Sequence, residues 1–308
     1  MSFKTLPPGA VIGVIAPAGP SQPEALAAVP ALYERFGYRV RVFPGCMHRT
    51  GYLAGDDAVR LADLHAALAD DRVAALHCMR GGYGAMRLLD RIDTALLVAK
   101  PKLLIGYSDI TALHALWALH GLPTLHAPMP TSDLNRPGRE ADAQALFALL
   151  QGGLRAGAVL APALLQGDPG SDPGSPRLCV PGRVQGRLIG GNLSLVACLL
   201  GTRWTWQAQG AVLFLEDVSE ELYRVDRLLT QLRLAGVLHA VAGVVLGSFT
   251  ESESPDALLR EFLLPLGKPV LAGWPSGHGT PNLPLPLGVQ VALDAQAGTL
   301  TLLEDFLR

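Results

Sequence analysis

Residues 101–117 read PKLLIGYSDITALHALW. KLLI is an apolar run of strand length, GYSD is a tight turn, and Ile110 to His120 suits a buried helix. A strand, a turn and a helix in so short a space form half of a parallel β–α–β unit, so this stretch decides the fold. Ser108 stands at the bend. Serine is a common helix N-cap, and it is also the nucleophile of a strand-to-helix elbow, where the free N–H groups of the helix start face a ligand. Both readings stay open on this stretch alone. GYSDI is not the GxSxG of α/β-hydrolases, so that fold does not follow.

The same rhythm runs outward in both directions. AVIGVIAP, YRVRVF and VAALHC read as strands. Pro23 to Phe36, Asp56 to Ala69 (Leu61, Leu64 and Leu68 at helical spacing) and Ala85 to Asp90 read as helices. The alternation predicts an α/β fold, with a parallel-sheet domain over residues 1–165 and helices on both faces. Ligands of such sheets bind beyond the carboxyl ends of the strands. Gln166 to Arg183, dense in Gly, Pro, Ser and Asp, reads as a linker without helix or strand. Residues 184–308 read as a second, β-rich α/β domain. Its elements are a turn and apolar stretch in GRLIGGNLSLVACLLG, a strand AVLFLED, an amphipathic helix Ser219–Ala235 and a strand VAGVVLGSF. A closing hairpin turns around Ala295 to Gly298.

Composition narrows the partners. The 308 residues carry a net charge of −2, with 17% charged residues and no basic tract, which argues against nucleic acid. Mean hydropathy is +0.29, yet no run reaches the length of a membrane-spanning helix. AVIGVIAP reads as a buried first strand rather than a leader, and a cytosolic protein is the expectation. The four cysteines are scattered and form no CxxC pair, and the eight histidines show no HExxH, so neither a disulfide framework nor a metal site is expected.

Three further features can carry chemistry. RGGYG, Arg80 to Gly84, follows the VAALHC strand, and its adjacent glycines let backbone approach a ligand and present N–H groups. N–H groups of Gly81 or Gly82, with that of Asp109, could form an oxyanion site. Glu216 ends the AVLFL strand and could orient a histidine, although the acids after it also suit a solvated helix start. His278 sits between glycines in PSGHGTPNLPLPLG, a proline-pinned loop that leaves an imidazole unobstructed, unlike the helical His65 and His114.

Taken in order, GVIAPAGP, RGGYGAMRLLD, LIGYSDITAL, IGGNLSLV, FLEDVSEELYRVDRLLTQL and GHGTPNLPLPLG make the chain resemble the LD-carboxypeptidase family, serine peptidases that include the microcin C immunity proteins. The resemblance spans nearly the whole chain. It implies Ser108 as nucleophile, His278 as base and Glu216 as orienting acid. It also implies an oxyanion hole from the GGYG turn and Asp109, and a homodimer in the cytosol. The implied reaction, needing no cofactor, hydrolyses the amide between an L-centre and a terminal D-amino acid, typically D-alanine of murein tetrapeptide. A small peptide substrate needs a cation for its carboxylate. Arg80, Arg203 and Arg224 are candidates by type, with Tyr83 beside the first. The alternatives are hydrolysis of a peptidyl-nucleotide amide of the microcin C type, which would want a base-stacking aromatic such as Trp204, Trp206 or Trp274, and a non-catalytic binding protein of the same fold. A nucleotide-binding enzyme is disfavoured by the missing GxGxxG and P-loop patterns.

Overall fold

The computed structural model describes residues 1–162 and 178–308. The first half alternates as expected: β1 (Val11–Ile15), α1 (Pro23–Ala27), α2 (Val29–Arg35), β2 (Arg39–Val42), α3 (Asp57–Ala69), β3 (Val73–Cys78), α4 (Thr94–Ala99), β4 (Leu103–Gly106), α5 (Thr111–Leu119) and β5 (Thr124–His126). Then follow α6 (Glu140–Gly152), β6 (Val159–Leu160), β7 (Cys179–Val180), β8 (Arg183–Asn192), α7 (Leu193–Cys198), β9 (Val212–Val218), α8 (Leu222–Leu234), α9 (Val237–Ala240) and β10 (Gly243–Thr250). The chain ends with α10 (Asp256–Leu263), β11 (Val270–Leu271), β12 (Leu285–Leu287), β13 (Gln290–Asp294) and β14 (Thr299–Leu302). Among the described residues no helix is long and apolar enough to cross a membrane.

Two sheets organise these elements. The first has the order β12-β5-β4-β3-β1-β2, parallel throughout except at β12, which runs antiparallel to β5. The second has the order β6-β14-β13-β8-β9-β10-β11-β7, parallel from β8 to β11 and antiparallel at both ends. The predicted hairpin is β13–β14. Most of the proposed linker, residues 166–177, lies outside the described residues. Its end departs from expectation: Cys179 and Val180 pair with β11, and Leu178 is buried, so this part of the linker holds a strand. The four cysteines are unpaired, two of them exposed.

The predicted turn in LIGGN is also corrected. Gly190 and Gly191 lie inside the ten-residue strand β8, in register with Phe214 and Leu215 of β9. They are glycines because of close approach. A Cβ at Gly190 would fall 2.0 Å from the Phe214 carbonyl oxygen, and one at Gly191 would fall 2.5 Å from Thr111 Oγ1. Thr111 opens α5 and its hydroxyl accepts a hydrogen bond from Asn192 N, which fixes the second sheet to the helix that follows Ser108. Helix α5 is buried on every side from Thr111 to Trp117, which explains its apolar, non-amphipathic sequence. Gly190→Ala adds overpacking to a left-handed φ of 115° and is expected to destabilise by about 3 kcal/mol, read as a drop in the thermal midpoint.

Candidate active site

Ser108 opens a short 3-10 turn between β4 and α5, with φ at +65°. An N-cap residue has extended backbone, and a side chain other than glycine is strained at this φ. The extended residue is Tyr107, and no side chain caps the turn. Backbone geometry excludes the N-cap: Ser108 stands at a strained bend between β4 and α5.

The RGGYG turn closes over this elbow. A Cβ at Gly81 would lie 2.8 Å from both Cβ and Oγ of Ser108 and 3.5 Å from Asp109 N. Only glycine allows that approach. Gly82, at φ 116°, packs instead on Gly19, whose N–H donates to Gly81 O at 3.1 Å. The carboxylate of Asp109 accepts from Ala85 N at 2.8 Å and so ties the elbow to the glycine turn. Burial pushes the Asp109 carboxyl up to about 6.

The acid and the imidazole come from the second half of the chain. Glu216 is fully buried on β9, and Asp217, next along, faces the opposite way to accept from Asn192 Nδ2, Ser194 N and Ser194 Oγ. Strand alternation thus separates the two acids, and neither is the solvated helix start considered from sequence. Glu216 Oε2 accepts from His278 Nδ1 at 2.7 Å and from His278 N at 3.2 Å. Gly277 makes this possible, because a Cβ there would lie 2.6 Å from Glu216 Oε2. Burial pulls the imidazole pKa down, but the Glu216 charge and its hydrogen bond, with Asp217 and Asp133, outweigh it, and the net shift is upward.

Tyr107 links the halves. Its ring centre is 4.7 Å from that of His278, and its hydroxyl donates to buried Asp133 at 2.8 Å. Ser108 is thus one residue from a ring packed on the imidazole. Among the described residues, no hydrogen bond joins Ser108 Oγ to His278. Such bonds often tighten only with substrate in place. Of the other histidines, His65 Nε2 accepts from Asp93 N at the start of α4, and His114 is core, its Nε2 against Gly106 O.

Sequence reading passed over the groups that hold the His278 loop. Arg139 Nη1 donates to Gly279 O at 2.7 Å and to Asp142 Oδ2 at 2.8 Å. Asp142, 1% exposed, accepts from Asn282 N, and Asn282 Oδ1 accepts from Gly277 N. Ser248 Oγ accepts from Gly279 N. The i,i+3 pair at 139 and 142 is visible in sequence, but nothing local tells that it reaches residue 279. Arg139→Met removes the donor to Gly279 and leaves a buried carboxylate unpaired. It is expected to lower kcat roughly 100-fold with KM near wild type, and Arg139→Lys to recover part of the loss, both read by steady-state kinetics.

Arg80 and Tyr83 line a cleft beside the glycine turn, and Arg80 Nη1 donates to Pro20 O at 3.2 Å. Arg203 and Arg224 lie elsewhere, in exposed ion pairs with Asp90 and with Glu220 and Glu221. Among the described residues no group of three or more His, Cys, Asp or Glu side chains could hold a metal ion.

Comparison with known proteins gives the family of the chain. Residues 12–127 match the model of the LD-carboxypeptidase N-terminal domain, and residues 185–293 that of the LD-carboxypeptidase C-terminal domain. A Bacillus subtilis protein described as a probable murein peptide carboxypeptidase is 36% identical, covering 96% of this chain and 92% of its own. A muramoyltetrapeptide carboxypeptidase from Oxalobacter formigenes superposes with a TM-score of 0.82 at 29% identity, over 97% of this chain and 100% of that one. The microcin C7 self-immunity protein in complex with aspartyl sulfamoyl adenosine superposes with a TM-score of 0.86 at 25% identity, over the full length of both. The two matched domains carry the serine elbow and the Glu216–His278 pair respectively, and the chain belongs to the LD-carboxypeptidase family.

Proposed function

We propose that the chain is a serine LD-carboxypeptidase that releases the terminal D-alanine of murein tetrapeptide. The observation that carries the reading is the 2.7 Å hydrogen bond from His278 to buried Glu216, beside an elbow that holds Ser108 at a strained φ. Glu216 fixes the imidazole with its proton on Nδ1, which leaves Nε2 as the base. Ser108 Oγ attacks the carbonyl carbon as its proton passes to His278 Nε2. The carbonyl oxygen becomes an oxyanion, received by N–H groups of the Gly81–Gly82 turn and Asp109. Collapse breaks the C–N bond, His278 returns the proton to the leaving amine, and D-alanine departs. A water then attacks the seryl ester, gives its proton to His278 and frees the acid and Ser108.

Arg80, one residue before the glycine that lies against Ser108, is the residue this reading gives to the terminal carboxylate, the group that distinguishes a carboxypeptidase substrate; its place in the cleft wall beside the glycine turn supports that role. The cytosolic, homodimeric enzyme implied by the resemblance belongs to the same proposal. Hydrolysis of a peptidyl-nucleotide amide is the second reading, favoured by the likeness to the immunity protein with its aminoacyl nucleoside ligand. Against it, Trp206 and Trp274 are buried in the core, and half-buried Trp204 has its ring under Arg203 and its indole N–H on Asp90. Mass spectrometry of tetrapeptide incubated with the protein tests the choice. Loss of one alanine from the L,D peptide, and none from its L,L diastereomer, is expected. Turnover of an aminoacyl nucleoside alone would replace the first reading by the second.

A further inference from the structure

The order of the first sheet contains a feature that the proposed chemistry does not use. Strands run β4-β3-β1-β2, so the chain leaves β1 toward β2 on one side and returns to β3 on the other. Where connections diverge in this way, the carboxyl ends of the strands open a crevice, the usual ligand site of such sheets. A cleft of about 670 Å³ lies there, walled by the loops after β1 (Pro20, Gln22), β2 (Arg49, Tyr52) and β3 (Arg80, Tyr83). Its size falls among clefts that enclose a whole small ligand, about 300–1,000 Å³, and is far more than one leaving alanine needs.

The walls specify a chemistry. Two guanidinium groups line the cleft and no carboxylate does. Arg49 is exposed and has no hydrogen-bond or ion-pair partner among the described residues. Arg80 Nε is buried without an acceptor, a state that native structures rarely leave unanswered. Tyr52 and Tyr83 meet edge to face, ring centres 5.6 Å apart, yet remain 64% and 50% exposed. Two rings standing in solvent at the mouth of a basic cleft offer apolar faces to a chain held there by its anionic groups. The cleft is continuous with the reaction centre: Gly82 also lines it, and Gly81 lies against Ser108.

Resting on the proposed function, which gives Arg80 at the serine end of the cleft to the terminal carboxylate, we infer that the rest of the cleft is the acyl-side subsite: Arg49 binds carboxylates of the substrate peptide on the side that stays on the enzyme, and Tyr52 and Tyr83 pack along its chain. The ligand class is a short peptide with at least two carboxylates. Arg49 is exposed and makes no hydrogen bond, ion pair or ring contact among the described residues, so its replacement tests binding with little disturbance of the fold.

The experiment uses Ser108→Ala protein, titrated calorimetrically with murein tetrapeptide, with the acyl-side tripeptide product, with D-alanine and with aspartyl sulfamoyl adenosine. Adding Arg49→Gln is expected to weaken tetrapeptide and tripeptide at least tenfold, and Tyr52→Ala to weaken them at least threefold. The Arg49 effect should shrink for peptides whose acyl-side carboxylates are amidated. In the otherwise wild-type enzyme, Arg49→Gln should raise KM with kcat near wild type. Peptide binding unchanged by Arg49→Gln overturns the subsite, and so does an Arg49 effect confined to D-alanine or the nucleoside; in both cases alanine release by the wild type still upholds the carboxypeptidase. No peptide binding and no alanine release overturn both.

Discussion

Ser108→Ala is expected to lower kcat by a factor of at least about 10⁴ while the protein melts with the wild type. The loss follows from removing the attacking atom, because no neighbour can replace it. Gly81 closes one side of the hydroxyl, and a Cβ there would already stand 2.8 Å from Oγ. Stability should hold because Oγ has no partner among the described residues, so its removal leaves no buried group unpaired. The elbow adds a second signature. At φ +65° any L-residue is strained by about 1–2 kcal/mol, and glycine is not. Ser108→Gly should therefore be as inactive as the alanine variant yet melt at a higher temperature. Activity kinetics and thermal unfolding of the two variants check both statements.

Glu216→Gln is expected to lower kcat roughly 10³- to 10⁴-fold with the fold retained. The carboxylate accepts from both the ring and the backbone N–H of His278 through one oxygen. An amide in its place can turn an NH₂ toward Nδ1, which selects the wrong tautomer and takes the proton off the ring nitrogen that should carry it. The pH profile separates this effect from simple misplacement. His278 acts as a base only when neutral, so kcat/KM rises with pH through its pKa. In the wild type, burial depresses that pKa and the carboxylate more than restores it, so the rising limb lies above the ordinary histidine value of 6.5. Without the carboxylate charge, burial dominates and the limb moves to lower pH. A limb that stays in place in Glu216→Gln would mean that another group titrates.

The groups proposed to do chemistry were legible because each sits in a short stretch with its own character: a serine at a strand end, an acid at a strand end, a histidine between glycines. Their surroundings were not. In residue type GYSDI suits a cap at least as well as an elbow, and the φ of Ser108 is what excludes the cap. The helix expected from Pro23 to Phe36 splits at Ala28, because Pro30 has no N–H to continue the ladder. Two glycines in LIGGN suggest a turn, yet they lie in β8 where Phe214 and Thr111 approach. Pro286 argues against a strand, but β12 is an edge strand, where a proline can stand. Arg139 and Arg49 act across loops distant in sequence, and a chain read locally carries no mark of that.

The most direct measurement is covalent trapping with a diphenyl phosphonate analogue of the acyl-side peptide, in which phosphorus replaces the scissile carbonyl carbon and phenoxide leaves as Ser108 Oγ attacks. Intact-protein mass spectrometry should show one added phosphonyl group, and fragmentation should locate it on Ser108, with none added to Ser108→Ala. An adduct on another residue, or inhibition by the probe with no covalent mass, would contradict the assignment of Ser108 as the nucleophile.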